Sequence, residues 1–171
     1  MKTDIYISGE INEEAFVEFD KELSRLLVSK CKEIRVTLIS EGGCAKAALA
    51  FFDRIVHSTK PVIITAIGSV ESAAVLILAA GQHRRMHENA WVMVHEDSIE
   101  GIEGSKTSDL EKTAKHFRRM EDQWCYLLSL CTRTSQEQWS VFHRAETYLS
   151  ALQCKNLGLI EEIICLTSQA R

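Results

Sequence analysis

Two side chains stand where chemistry could be done. Ser72 lies at the point where the β-branched run 62–67 (VIITAI), broken by Gly68-Ser69, gives way to SAAVLILAA. His95 closes a second apolar run, AWVMV. Serine is a poor nucleophile at neutral pH and needs a base to remove its proton. Histidine has an unperturbed pKa suited to that task. A hydroxyl at the start of a helix also sits beside free backbone N–H groups and the positive end of the helix dipole. The simpler reading of Ser72 is an N-cap, for which serine is a preferred residue. From this stretch alone both readings stand, because a lone Ser/His pair does not specify a triad.

The elements that must hold these groups follow from periodicity. Residues 4–8 (DIYIS) read as a first strand, and Asn12 as the cap of a helix with Phe16, Phe19, Leu23, Leu26 and Leu27 on one face. Residues 34–39 (IRVTLI) read as a second strand. A tight loop follows at Ser40-Glu41-Gly42-Gly43, then a helix aligning Ala47, Phe51 and Ile55 and ending at Lys60-Pro61. VIITAI is a third strand. SAAVLILAA is rich in good helix formers and too apolar for a surface, so it reads as a core helix. Strands and helices alternating over short connections predict βαβ units and a largely parallel sheet.

Beyond His95 the pattern changes. DSIEGIEGSKT reads as an extended loop or loose hairpin, and Ser108 with Glu111 as a capping box. Leu110, Ala114, Phe117, Met120, Trp124, Leu127 and Cys131 fall at helical spacing, predicting a helix over 108–131 about 36 Å long. Its apolar stripe needs a cover, either this domain or another subunit. A short helix is expected over 136–143. Ser150 caps another that ends at Gly158, and LIEEIICL reads as a last strand.

Composition narrows the classes. The chain has 171 residues, 46% hydrophobic and 26% charged, the balance of one ordinary globular domain over 1–171. A net charge of −4 gives no reason to expect nucleic acid or an anionic membrane as partner. No apolar run reaches the roughly 20 residues of a membrane span. The start, MKTDIYISGE, is too short and acidic for a signal peptide, so the expected location is cytoplasmic. Cysteines at 31, 44, 125, 131, 154 and 165 form no CxxC pair and no zinc-site spacing. They are expected to be reduced and packed as small hydrophobes, with no metal and no cofactor.

The order of these signals resembles the proteolytic subunit of the ATP-dependent Clp (caseinolytic) protease, within the Clp/crotonase superfamily. The matching segments are LISEGGCAKAALAFFDRI, IGSVESAAVLILAAG, NAWVMVHE, GIEGSKTSDLEKTAKHFRRMEDQ and YLSALQCKNLGLIEEI, in that order over nearly the whole chain. The resemblance implies an α/β, crotonase-like ββα-superhelix with a projecting handle helix at 108–131. It implies a serine endopeptidase working inside a homo-oligomeric chamber of stacked rings, on peptide or unfolded-protein substrates.

By position, the resemblance places the nucleophile at Ser72, the general base at His95 and the third triad member at Glu146. The family normally has Asp at that last position, and Asp97 is a rival orienter. Oxyanion donors fall on the backbone N–H groups of Gly42 and Ala73. The substrate groove falls on Gly43 and on the Gly101 to Gly104 loop, where a peptide adds as a strand. Two acids depart from the family pattern: Glu41 replaces the usual Pro before Gly42, and Glu71 replaces a small apolar residue before Ser72. The first strand begins within a few residues of Met1, so no axial loop is expected for a Clp-type ATPase to engage. Two other readings stay open: a catalytically weak or inactive structural subunit, and a crotonase-type acyl-CoA enzyme using the same oxyanion frame.

Overall fold

A computed structural model of the chain describes residues 4–96 and 106–165. Its strands are β1 (Asp4–Ile11), β2 (Ile34–Gly43), β3 (Val62–Glu71), β4 (His83–His87), β5 (Trp91–Val94), β6 (Thr147–Ser150) and β7 (Glu162–Ile164). Its helices are α1 (Glu13–Leu27), α2 (Ala45–Val56), α3 (Ala73–Ala79), α4 (Thr107–Cys131), α5 (Gln136–Arg144) and α6 (Ala151–Leu157). The sheet runs β1-β2-β3-β4-β7, and β5 branches from β3 to carry β6. Every pairing is parallel except β5 with β6. This is the mixed α/β architecture with a parallel sheet that the alternating pattern predicts.

Local chemistry explains most of the elements. Asn12 caps α1, its side chain accepting from the Ala15 N–H at 2.9 Å. Phe19, Leu23 and Leu26 of α1 are buried, and Phe19 packs on Phe51 of α2 with ring centroids 4.9 Å apart. All seven residues of α3 are buried, as its composition requires. Ser150 caps α6 in a reciprocal box with Gln153, and Gly158 ends that helix at φ 75°.

Four expectations are corrected. Residues 40–43 are not a loop; β2 continues through Gly43, because its end pairs with Glu10 and Ile11 of β1 across a register shift. Gly68-Ser69 does not end β3, which runs on to Glu71. Gly68, at φ 59°, marks where β3 changes neighbour: residues 63–66 pair with β4, and residues 69–71 pair with β5. Ser108 is not the cap of the long helix; α4 begins one residue earlier after Lys106, with no side-chain cap. Finally, β4 and β6 were not expected. HRRMH has no alternating apolar pattern, and TYLS is too short to carry one.

The long helix is built in two unlike halves. Trp124, Cys125 and Leu128 are buried at its C-terminal end, while no residue from 107 to 123 is fully buried. Arg84 of β4 fixes the buried end. Its guanidinium donates to the Cys131 carbonyl at 2.5 Å and pairs with Glu161, just before β7.

Candidate active site

The site begins at the β3–α3 corner. Ser72 has φ 50° and ψ −125°, a conformation L-residues rarely adopt. Two backbone bonds hold it there: its N–H donates to the Met93 carbonyl of β5 at 2.8 Å, and its own carbonyl accepts from Val75 N–H at 3.0 Å. The Ser72 side chain makes no capping bond to α3. The N-cap reading of this serine is therefore set aside, and its hydroxyl stays available on a strained strand-to-helix turn.

Gly42 lies directly against this corner. A Cβ at Gly42 would stand 2.7 Å from Ser72 Cβ, 2.8 Å from the Glu71 carbonyl oxygen and 3.1 Å from Ala73 N. With φ at 94° as well, only glycine fits this position without strain. The fold thus brings Gly42, Ser72 and Ala73 together. In this arrangement the Gly42 N–H donates to Ser40 Oγ at 3.0 Å, and Ser40 Oγ donates in turn to the Gly9 carbonyl at 2.5 Å. Gly43 is open to solvent, and its backbone runs against Ile11 of β1.

His95 follows the last residue of β5 and is half-buried. It shares a hollow of about 20 Å³ with Ser72, Met120, Glu121, Trp124 and His143. This hollow opens beside a groove of about 550 Å³, which Ser72 and His95 also line, together with Glu41, Gly43, Lys46 and Phe117. Among the described residues no hydrogen bond joins the Ser72 hydroxyl to the His95 ring. Catalytic contacts are often long before substrate binds.

Glu146 is exposed, at φ 46°, and its Oε1 accepts from the Tyr148 hydroxyl at 3.4 Å. It does not line the hollow. The antiparallel ladder of β5 and β6 nonetheless ends with Val94 opposite Thr147, so His95 and Glu146 are the next residue on each strand. Asp97, Gly101 and Gly104 lie outside the described residues. Glu41 is exposed at the rim of the groove, and Glu71 is half-buried at the end of β3.

Five residues that line the hollow were missed from sequence as site residues, three of them polar or aromatic. Glu121 and Trp124 come from α4, and His143 from the last turn of α5. His143 is only 5% exposed, and its ring meets Trp124 edge to face with centroids 5.1 Å apart. Burial, and next the neighbouring His95, push its pKa down to about 4, so it is neutral at neutral pH. The available signal was the Trp139–His143 spacing of four, which sets the imidazole on the buried face of α5. The cysteines match the expected packing only in part, because Cys44 and Cys165 are exposed. Burial pushes the thiols of Cys125 and Cys154 up to about 12, so both pack as inert hydrophobes. Among the described residues no cluster of His, Cys, Asp and Glu could hold a metal ion. No helix among them is long and apolar enough to cross a membrane.

A strand-to-helix corner carrying a serine, on a parallel sheet flanked by helices, is a fold already known. The chain superposes on a ClpP1 mutant from Listeria monocytogenes with a TM-score of 0.86. That match is 26% identical and covers 99% of this chain and 95% of that one. It is 31% identical over 162 residues to ATP-dependent Clp protease proteolytic subunit 2 of Treponema denticola, covering 93% of this chain and 80% of that protein. It is 29% identical over 134 residues to the proteolytic subunit 2 of Corynebacterium jeikeium, covering 77% of this chain and 64% of that one. The family model for Clp protease matches residues 1–166, and the chain belongs to that family. Membership places it among the peptidases.

Proposed function

We propose that the protein is a serine endopeptidase whose nucleophile is Ser72. The observation that carries this is the Ser72 corner: a strained, uncapped serine packed on Gly42 in a hollow shared with His95. Backbone strain of this kind costs about 1–3 kcal/mol and persists where the surroundings fix it. Strand-to-helix serines of other hydrolases show the same device.

In the proposed reaction, Ser72 Oγ attacks the carbonyl carbon of a peptide lying along the groove, and His95 takes the hydroxyl proton. The tetrahedral oxyanion forms beside the Ala73 and Gly42 amides. For Gly42 this means exchanging its bond to Ser40 for the oxyanion. Each such donor contributes about 3 kcal/mol. As the C–N bond breaks, His95 gives its proton to the leaving amine. Water, deprotonated by the same imidazole, then cleaves the acyl ester and restores Ser72. Glu146 is the proposed third member, one step past the β5–β6 ladder from His95. Joining the site requires it to turn from Tyr148 to the imidazole.

The uncovered half of α4 supports a homo-oligomer of stacked rings, in which another copy covers that half. The name "proteolytic subunit" borne by the relatives points the same way. A fluorophosphonate probe tests the central claim. Mass spectrometry should find the label on Ser72, and Ser72→Ala should remain unlabelled and lose all peptide turnover. A labelled protein that keeps its activity after Ser72→Ala would refute the assignment.

A further inference from the structure

Two residues that line the hollow beside Ser72 carry buried nitrogens that no described residue satisfies. Trp124 Nε1 and His143 Nε2 have no hydrogen-bond partner among the described residues. Trp124 is 7% exposed and His143 5%. Buried polar groups in folded proteins are nearly always paired, because an unpaired one is costly. Two such groups on residues lining one small hollow point to a partner beyond the described residues.

The chemistry of the two groups defines that partner. An indole N–H only donates. A neutral imidazole offers one N–H and one lone pair, and His143 is held neutral by its burial. A partner must therefore accept from Trp124 and exchange a hydrogen bond with His143. A side-chain amide does both through separate atoms, as a hydroxyl or a water does through one. Charge narrows the choice further. Glu121 also lines the hollow, and the Arg144 guanidinium stands 3.9 Å from its Oε1. A carboxylate in the hollow would face Glu121, whereas an ammonium group could not accept from the indole. At about 20 Å³ the hollow admits little more than one water-sized group, the tip of a side chain whose stem lies in the larger groove.

We propose that Trp124 and His143 make this hollow a specificity pocket for glutamine or asparagine immediately N-terminal to the scissile bond. The inference rests on Ser72 being the nucleophile, since that sets which substrate side chain lies next to the hollow. A site built to hydrogen-bond its substrate discriminates strongly against analogues that leave its polar groups unpaired.

The test uses fluorogenic peptides that differ only in that residue: Gln, Glu or Met. Expected kcat/KM for Gln exceeds both others by about 10- to 100-fold. Trp124→Phe removes one donor while keeping an aromatic ring, and His143→Phe removes the other partner. Each should bring the Gln/Met ratio down to within about threefold of one. Calorimetric binding of the same peptides to Ser72→Ala protein separates this claim from the catalytic one. If Ser72 takes no fluorophosphonate and the peptides are not cleaved, yet Gln still binds more tightly than Glu and Met, the catalytic reading fails and with it the pocket's place beside a scissile bond, while its selectivity for an amide stands. If Ser72 is labelled but Met is cleaved or bound as well as Gln, the pocket is overturned. Absence of any peptide binding overturns it too.

Discussion

The Ser72 corner and the His95–Glu146 edge are built in opposite ways. At the corner, a left-handed serine is fixed by bonds to Met93 and Val75, by the Gly42 backbone and by a helix buried along its whole length. At the edge, two residues just beyond a four-pair ladder carry half-exposed or exposed side chains, and the Glu146 carboxylate meets the Tyr148 hydroxyl at 3.4 Å. The difference teaches where strain can be kept. A rare backbone conformation survives when the core over-determines it. A side chain on a sheet margin keeps its freedom, so the proposed contact between Glu146 and His95 can form or break with little effect on the fold.

That contrast is open to direct attack, and the largest expected effect is at the edge. Glu146→Gln should lower kcat by up to about 10⁴-fold, the range seen when an orienting carboxylate is lost. Its thermal midpoint should stay at the wild-type value, as for most surface changes. If Asp97→Asn is the damaging change and Glu146→Gln is silent, the third position is misassigned.

Gly42→Ala should behave in the reverse manner, harming fold and function together. The new Cβ would enter at φ 94° and crowd Ser72 Cβ at 2.7 Å. A cost of about 1–3 kcal/mol lowers the midpoint by roughly 2–12 °C. Calorimetry should show that loss alongside a fall of about 10²- to 10³-fold in kcat, the cost of one oxyanion donor. Full activity with unchanged stability would mean the corner is looser than described.

His143 sharpens the comparison from inside the hollow. Its pKa is depressed to about 4, so protons favour the unfolded chain. The sign follows directly. Above pH 6.5 the group is neutral in both states and has no effect. Between pH 6.5 and 4 the unfolded state takes up the proton first, and stability falls by about 3 kcal/mol. Urea titrations at pH 7 and pH 4 should show that part of the acid loss vanish in His143→Phe. An identical loss in the variant would place the titration elsewhere.

The smallest effect concerns the two acids flanking the corner. Glu41 is exposed, and Glu71 is half-buried at the end of β3. A carboxylate about 8 Å from the oxyanion costs about 0.5 kcal/mol in a water-like dielectric and about 2 kcal/mol at an effective value near 20. The double change Glu41→Pro, Glu71→Ala should therefore raise kcat/KM on neutral peptides by roughly twofold to thirtyfold and flatten its salt dependence. No rise would mean that both carboxylates point away from the reacting centre.

By itself, the sequence determined the local elements and the candidate pair. Asn12, Ser150 and Gly158 announce helix ends because capping depends on a few neighbouring residues. The buried α3 is legible because nothing polar interrupts AAVLILA, Ser72 as the residue that opens this helix, and His95 as the one that closes an apolar run. Tertiary structure decided what depends on distant partners. That β3 passes through Gly68 and changes neighbour is set by where β4 and β5 pair, which periodicity cannot report. HRRMH becomes a strand because β3 and β7 flank it, with no pattern of its own. The serine's refusal to cap its helix is a matter of backbone angles fixed by Met93 and Gly42, from β5 and β2. His143 is separated from Ser72 by seventy-one positions, and only the packing of α4 and α5 over the corner brings them to one hollow. Caps and periods act over a few residues, whereas pairing, strain and the walls of a pocket are made by chain segments that meet only on folding.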